Sequence, residues 1–548
     1  MRAYLASSTG LATSVGLACA TVLTLASAPP AVAAGSDLTP GRNAPPAGVS
    51  AGSLPGAEIP GSTQSLPLEP VGDARRTGGA AERGLRATAV RSFSLAGVVW
   101  DDPGAELRGQ VQIRTRASRT RVWSAWQSLE TRNDGHGPDP ATREGRSTRM
   151  RGSTAPLWVG DSDGVEVRVR AEADQAGGTR APLLPDGLRV ELVDPGADPR
   201  LDAAREGQGA SAGRDARAEA DAQDVSASSW SGIAASAAAS VSAAASASTW
   251  AWRGGAYGAS AHEEDGYEGD GYEEGASDPD AYGRGTYGHG AYGGESSARL
   301  AASAANARLA PLNAAVIPAL SAQATRKAAL RQEHLVSRKG GPGAAGPFIG
   351  PRPRIVTRAG WGADESLRES GFVYTGAVKV AFVHHTASGN NYSCSQAPSV
   401  IRSIYRYHVV SSGWRDIGYN FLIDKCGTIY EGRAGGVDKP VMGAHTLGFN
   451  TNSTGIAVLG TFTGSAPSAA SVNAIASLTA WKLGLSGMDP RAKTYLTSGG
   501  GNRFPKGEDA HLNVISGHRD GFATECPGAM LYGRLGAART AAARLQGR

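Results

Sequence analysis

The chain has 548 residues, room for about three domains on length alone. Its 75 Gly and 30 Pro, mostly upstream of residue 350, argue against three packed cores. The net charge of +5 is small and unevenly spread: Pro351 to Arg548 holds 21 Lys and Arg against 12 Asp and Glu. A basic C-terminal part suits an anionic polymer, nucleic acid or cell wall, and equally serves solubility.

The N-terminus reads as a secretory signal peptide over residues 1–34. Arg2 is followed by an apolar or small-residue run from Gly10 to Ala28, then by an A-x-A cut at Ala31-Val32-Ala33-Ala34. Lipidation at Cys19 is the weaker alternative, because Gly16 stands where such a signal wants a Leu-like residue. Residues 35–87 are rich in Pro, Gly, Ala and Ser without a period and read as disordered.

Residues 88–196 change character. Ser92–Leu95, Val111–Arg116, Val165–Arg170 and Leu188–Leu192 alternate apolar with polar, the mark of strands with one buried face. Pro, Gly and Asp clusters separate them, which predicts an antiparallel β-sandwich. Trp100, Trp123, Trp126 and Trp158 are expected in its core, with a sugar-binding face as the alternative.

Residues 197–350 read as a long low-complexity linker. Ser226 to Trp252 is an uncharged Ala/Ser tract, too weakly apolar for a convincing membrane span. An acidic Gly/Tyr segment follows, and Ala301 to Leu335 has helix-forming composition broken by Pro311 and Pro318.

Residues 351–548 alternate strand and helix patterns, which predicts an α/β domain with a central mixed sheet flanked by helices. The strands are Val380–His384, Tyr419–Ile423 with Thr428–Glu431 as a hairpin, Thr454–Gly460 and Val514–Ser516. The helices are Ser399–His408, Ser468–Leu483 capped by Ser468 or Ser471, and Pro527 to Leu545.

Two of those strands end in histidine, His384 and His518, and Cys526 follows eight residues after His518. Two histidines and one cysteine leave a fourth position open for water, the pattern of a catalytic zinc site; a closed structural site wants a fourth side chain. Cys526 at a helix start is expected to favour its thiolate. His385 points to the opposite strand face from His384, and a register slip of one residue would exchange them. With Cys19 removed, three cysteines remain; if Cys526 is a ligand, Cys394 and Cys426 can pair, although other pairings stay open. That bridge would contribute about 3–4 kcal/mol in the chain-entropy model.

Several phrases resemble the peptidoglycan recognition protein and type-2 N-acetylmuramoyl-L-alanine amidase family. They are Arg358-Ala359-Gly360-Trp361-Gly362-Ala363, Val383-His384-His385-Thr386, Trp414 to Phe421, Tyr430-Glu431-Gly432-Arg433, Gly443-Ala444-His445, and Gly517-His518-Arg519-Asp520 to Cys526-Pro527-Gly528. They fall in the family's order within residues 351–535. The resemblance implies a monomeric, secreted, zinc-dependent hydrolase of the cell wall. It would cut peptidoglycan between N-acetylmuramic acid and the L-alanine of the stem peptide, without nucleic acid or a membrane span. His384, His518 and Cys526 fall on its zinc ligands, Tyr419 on its catalytic tyrosine, and Thr524 where amidases place a Thr or Lys near the metal.

Tyr419 suits an oxyanion donor, with Tyr419 or Glu431 as the expected proton acceptor. His445, Asn450, Arg433 and His385 are the expected substrate-binding residues, Arg433 because its guanidinium fork suits a stem-peptide carboxylate. Ala434-Gly435-Gly436 replaces the Gly-Trp of many animal members, so their peptide preference does not carry over. A flexible linker would let the catalytic domain sweep the polymer while the sandwich holds on. The rivals are a non-catalytic recognition module, disfavoured by the three filled ligand positions, and a surface adhesion protein with a vestigial amidase domain.

Overall fold

A computed structural model describes residues 61–71, 82–172, 184–197, 293–337 and 348–548. The signal peptide, the Ala/Ser tract and the Gly/Tyr segment lie outside the described residues. Among those described, no helix is long and apolar enough to cross a membrane.

The N-terminal domain is antiparallel β. Its strands are β1 (Ser62–Pro67), β2 (Glu69–Pro70), β3 (Glu82–Trp100), β4 (Gly109–Ala117), β5 (Gln127–Leu129), β6 (Gly152–Ser153), β7 (Leu157–Ala171) and β8 (Arg189–Asp194). They run in the order β1-β8-β3-β7-β4-β5, with β2 and β6 also on β3. The alternating segments fall in β3, β4, β7 and β8, and the inward residues Val111, Ile113, Val165, Val167 and Val169 share one core with Val190 and Leu192.

Alternation fails at Phe93–Trp100, where every residue is buried. The cause is a second covered face. Ala96, Val98 and Trp100 point into the β-domain core, whereas Leu95 and Val99 join a cluster with residues of the C-terminal domain. A strand buried on both faces has no polar side to show.

Two expectations change here. The domain begins before residue 88: β1 pairs along its length with β8, and β3 starts at Glu82. A short edge strand reading Ser-Thr-Gln-Ser-Leu-Pro carries too little periodicity to stand out from its Pro/Gly-rich surroundings. Of the four tryptophans, Trp100 is in the β-domain core and Trp158 is buried in the cluster shared with the C-terminal domain. Trp123 and Trp126 are half-buried, and the Arg114 guanidinium lies 5.3 and 5.2 Å from their ring centroids, with Arg168 4.3 Å from Trp126. This is cation–π stacking on the outer face of the sheet.

The C-terminal domain has a seven-stranded mixed sheet. Its strands are β9 (Val316–Ile317), β10 (Ile355–Val356), β11 (Val380–His385), β12 (Phe421–Ile423), β13 (Ile429–Glu431), β14 (Ser453–Val458) and, after a separate hairpin of β15 (Lys493–Thr497) and β16 (Asp509–Asn513), β17 (Ile515–Gly517). The order is β17-β11-β14-β12-β13-β10-β9. Strand β11, second from the edge, is parallel to both β14 and β17, and β12–β13 is the expected antiparallel hairpin.

The helices are α1 (Gly293–Ala304), α2 (Ala322–Ser337), α3 (Arg358–Trp361), α4 (Ala397–Arg406), α5 (Ala469–Gly484), α6 (His518–Gly521), α7 (Ala529–Tyr532) and α8 (Leu535–Gln546). Ser468 caps α5 by accepting from the Ser471 amide, as expected. The predicted final helix is split into α7 and α8 near Gly533. α5 and α8 cover one face of the sheet and α4 the other. Cys394 and Cys426 form a disulfide.

Part of the expected linker belongs to this fold. β9 pairs with β10, and Asn306 donates to Glu431 at 2.7 Å and accepts from the Val437 amide. The idea of a freely sweeping catalytic domain does not survive either. Leu95, Val99, Trp158 and Val193 of the β domain pack in one cluster with Val400, Ile404 and Tyr407 on and after α4. The Tyr407 hydroxyl donates to the Thr154 carbonyl at 3.1 Å, and Ser411 to Glu191 at 3.1 Å.

Candidate metal centre and its groove

The parallel pairing of β11 with β17 sets His384 and His518 side by side, 4.6 Å between ring centroids. His384 is the last residue but one of a strand buried throughout, and His518 follows Gly517 at the end of β17. The chain returns through α6 and places the buried Cys526 Sγ 3.8 Å from His384 Nδ1. The three residues expected to share a metal therefore meet. The register is also fixed: His384 faces the cluster, while His385 accepts from the Phe462 amide through Nδ1 and lines a small cavity with Glu130 and Tyr419.

A fourth donor, absent from the sequence reading, completes the group. His136, in the β-domain segment between β5 and β6, lies 4.3 Å from the His518 ring and 3.8 Å from Cys526 Sγ. One donor atom from each of His136, His384, His518 and Cys526 falls within 4.8 Å of all the others. Tetrahedral zinc with three nitrogens and one sulfur needs donors roughly 3.4–3.7 Å apart, so a modest contraction would seat it.

The hydrogen bonding fits a metal. His518 Nε2 is 3.0 Å from the Gly135 carbonyl, which takes its proton and leaves Nδ1 as the free donor. That Nδ1 and the Nδ1 of His136 are buried without a hydrogen-bond partner. Burial, reinforced by neighbouring imidazoles, pushes the pKa of His136 and His384 well below the ordinary range and that of His518 to about 3. These rings are neutral, the form that ligates.

Cys526 departs from expectation. α7 spans only four residues, and burial pushes the thiol well above its usual range, with Glu130 adding to the effect. Without a cation this cysteine holds its proton; a metal would have to displace it.

Thr524 accepts from the Cys526 amide at 3.2 Å and so holds the ligand loop. Tyr419 is buried, with its ring 5.5 Å from His384 and 6.0 Å from His136. Burial, with Cys526 adding to it, raises its pKa well above the tyrosine range, so it keeps its proton and acts as a donor. Glu431 is not available as a base here. Its carboxylate accepts from Asn306 and from the Arg358 amide, in a different cavity from the one Tyr419 lines.

The expected substrate residues are already engaged. Arg433 forms a buried bidentate pair with Glu144 of the β domain at 2.8 and 2.9 Å, rather than a surface ion pair. Asn450 accepts from the His445 and Thr446 amides and donates to Asp139 and to the Gly137 carbonyl. His445 packs 5.2 Å from His384, with Nδ1 3.0 Å from the Thr446 hydroxyl.

His136, Asp139 and Glu144 were missed because they sit in a turn-rich stretch from Asn133 to Glu144, with His136 248 residues before His384. The available signal was a lone histidine between strands of the folded β domain.

Residues 52–186 match the family model described as Rv3811 N-terminal galactose-binding domain-like, and residues 374–529 match N-acetylmuramoyl-L-alanine amidase. Peptidoglycan-recognition protein SC2 of Drosophila simulans is 31% identical over 183 residues, 33% of this chain and 84% of that protein. The chain belongs to the peptidoglycan-recognition protein and type-2 amidase family. A human N-acetylmuramoyl-L-alanine amidase is another relative, 33% identical over 132 residues, which are 22% of this chain and 21% of that protein. Among solved structures, Drosophila PGRP-LB wild-type is 28% identical and aligns over 33% of this chain and 92% of its own, with a TM-score of 0.27. The C-terminal domain is thus the peptidoglycan-recognition and amidase module, and the N-terminal domain has the galactose-binding-like β fold.

Proposed function

We propose that this chain is a secreted, zinc-dependent N-acetylmuramoyl-L-alanine amidase of the cell wall. The observation that carries the reading is the convergence of His384, His518 and Cys526, with unpartnered donor nitrogen held in a neutral, buried site. A zinc ion held there supplies a Lewis acid for the scissile amide carbonyl. Tyr419, kept protonated by burial, donates to the amide oxygen as negative charge develops on it. Thr524 braces the Cys526 loop. Arg433 and Asn450, once released from Glu144 and Asp139, supply the fork and the amide that orient the anionic stem peptide.

The test uses the full chain, because the two domains share a core. Zinc-loaded His136→Ala/Glu144→Gln protein, which lacks the fourth donor and the internal anion on Arg433, is incubated with isolated peptidoglycan, and new L-alanine N-termini are mapped by mass spectrometry. Release that disappears in the additional Cys526→Ala variant supports the amidase. Binding to peptidoglycan with no new N-termini would make the chain a recognition protein instead.

A further inference from the structure

The segment between β5 and β6 does more than join two strands. It runs from Glu130 to Arg151 across the metal centre and sets a donor or an anion against the metal group, Asn450 and Arg433. His136 stands with the metal donors. The Gly135 carbonyl accepts from His518 and from the Leu447 amide at 3.0 Å each. A side chain at Gly135 would come within 2.5 Å of the Phe522 ring and 3.0 Å of the His518 ring, so only glycine allows this approach. Asp139 accepts from the Gly448 amide at 2.6 Å and from Asn450 at 2.9 Å. Glu144 takes both arms of Arg433 and also accepts from the Arg415 amide at 3.1 Å. The segment places carboxylates where an anionic peptide would put its own, and an imidazole where the open coordination position was expected.

We propose that residues 130–151 are a built-in plug that holds the amidase latent, with His136 as the fourth protein donor to the metal and Glu144 in the place of a substrate carboxylate on Arg433. The inference rests on the zinc-amidase reading. Both ends of the segment are fixed, by β5 paired to β4 and by β6 paired to β3. The Arg151 amide also donates to the Ser412 carbonyl of the C-terminal domain at 3.2 Å. Local fraying does not clear the groove; release takes undocking of the β domain or cutting of the segment. Arg143 and Arg146 within it are exposed to such a cut.

The test loads full-length wild type, His136→Ala and Glu144→Gln chains with Co2+ as the spectroscopic probe. X-ray absorption counts the donors, acetohydroxamate probes for an open position, and calorimetry measures binding of a soluble N-acetylmuramyl tripeptide. Wild type is expected to show three nitrogens and one sulfur and no spectral response to acetohydroxamate. His136→Ala loses one nitrogen and responds. Both variants bind the tripeptide more tightly than wild type by about tenfold or more, the usual range of coupling between linked equilibria. Glu144→Gln keeps the shape of the segment, so it reads the plug even if His136→Ala is poorly folded. An unchanged spectrum in His136→Ala, or wild-type binding as tight as that of both variants, overturns the plug and leaves the metal reading standing. Failure of all three chains to bind Co2+ removes the metal reading and the plug together.

Discussion

Replacing Glu144 with Ala is the sharpest probe of how the two domains hold each other. The ion pair it breaks is buried on both sides, with side chains 3% and 4% exposed. Removing one partner of such a pair costs about 3–5 kcal/mol, mostly because the other charge stays behind without compensation. Arg433 keeps partial satisfaction from the Ile417 carbonyl at 2.9 Å and the Asp416 carbonyl at 3.4 Å. The Arg415 amide, however, loses its acceptor. These offset one another, and the expected loss is about 4 kcal/mol, the middle of that range. Urea unfolding of the full chain, followed by tryptophan fluorescence, reads it as a lower midpoint at unchanged slope. The double variant Glu144→Leu with Arg433→Met should recover most of the loss, since an apolar pair leaves no stranded charge. A loss under about 1 kcal/mol, the figure for a solvent-exposed ion pair, would refute the reasoning.

Three further outcomes follow from named contacts. Gly455→Ala puts a methyl 2.4 Å from the His445 ring in a strand paired on both sides, and should cost about 1–3 kcal/mol by overpacking, checked by thermal unfolding. In a His136→Ala/Glu144→Gln chain, Tyr419→Phe should lower the turnover of peptidoglycan by about 10²–10³-fold while zinc content stays constant, since only the oxyanion donor is lost. Burial pushes the Glu431 pKa up to about 7 from its ordinary 4.5, so the folded state binds the extra proton between those values. Its protonation therefore stabilises the fold below about pH 4.5, and that stability is lost as pH rises through about 7; Glu431→Gln should flatten this component when midpoints are compared across the range.

The centre of the C-terminal domain was legible because its strands are short, continuous and buried, and because two of them end at histidines of the candidate metal centre. The helix cap at Ser468 and the β12–β13 hairpin were equally local signals. What stayed hidden was non-local. β9 has two residues and means nothing until β10 is beside it. The continuous burial of Leu95 to Trp100 is intelligible only with α4 packed against the outer face of β3. His136 and Glu144 carry no periodic signature, since a turn-rich segment is defined by what it touches. His136 escaped for the same reason: counting candidate donors in one domain cannot find one that another domain brings beside them. The thiol of Cys526 was misjudged because helix-start logic ignored burial, which here dominates.

The most direct test of the central claim is the zinc content of the full chain, purified at neutral pH and measured by elemental mass spectrometry beside Cys526→Ala. About one zinc per wild-type chain is expected, with a large loss in the variant, as one of the donors is removed. Adding zinc to metal-free wild type should also release about one proton per chain, because the buried thiol must ionise to bind. A wild-type chain that holds no zinc, or a Cys526→Ala chain that holds as much as wild type, would contradict the claim.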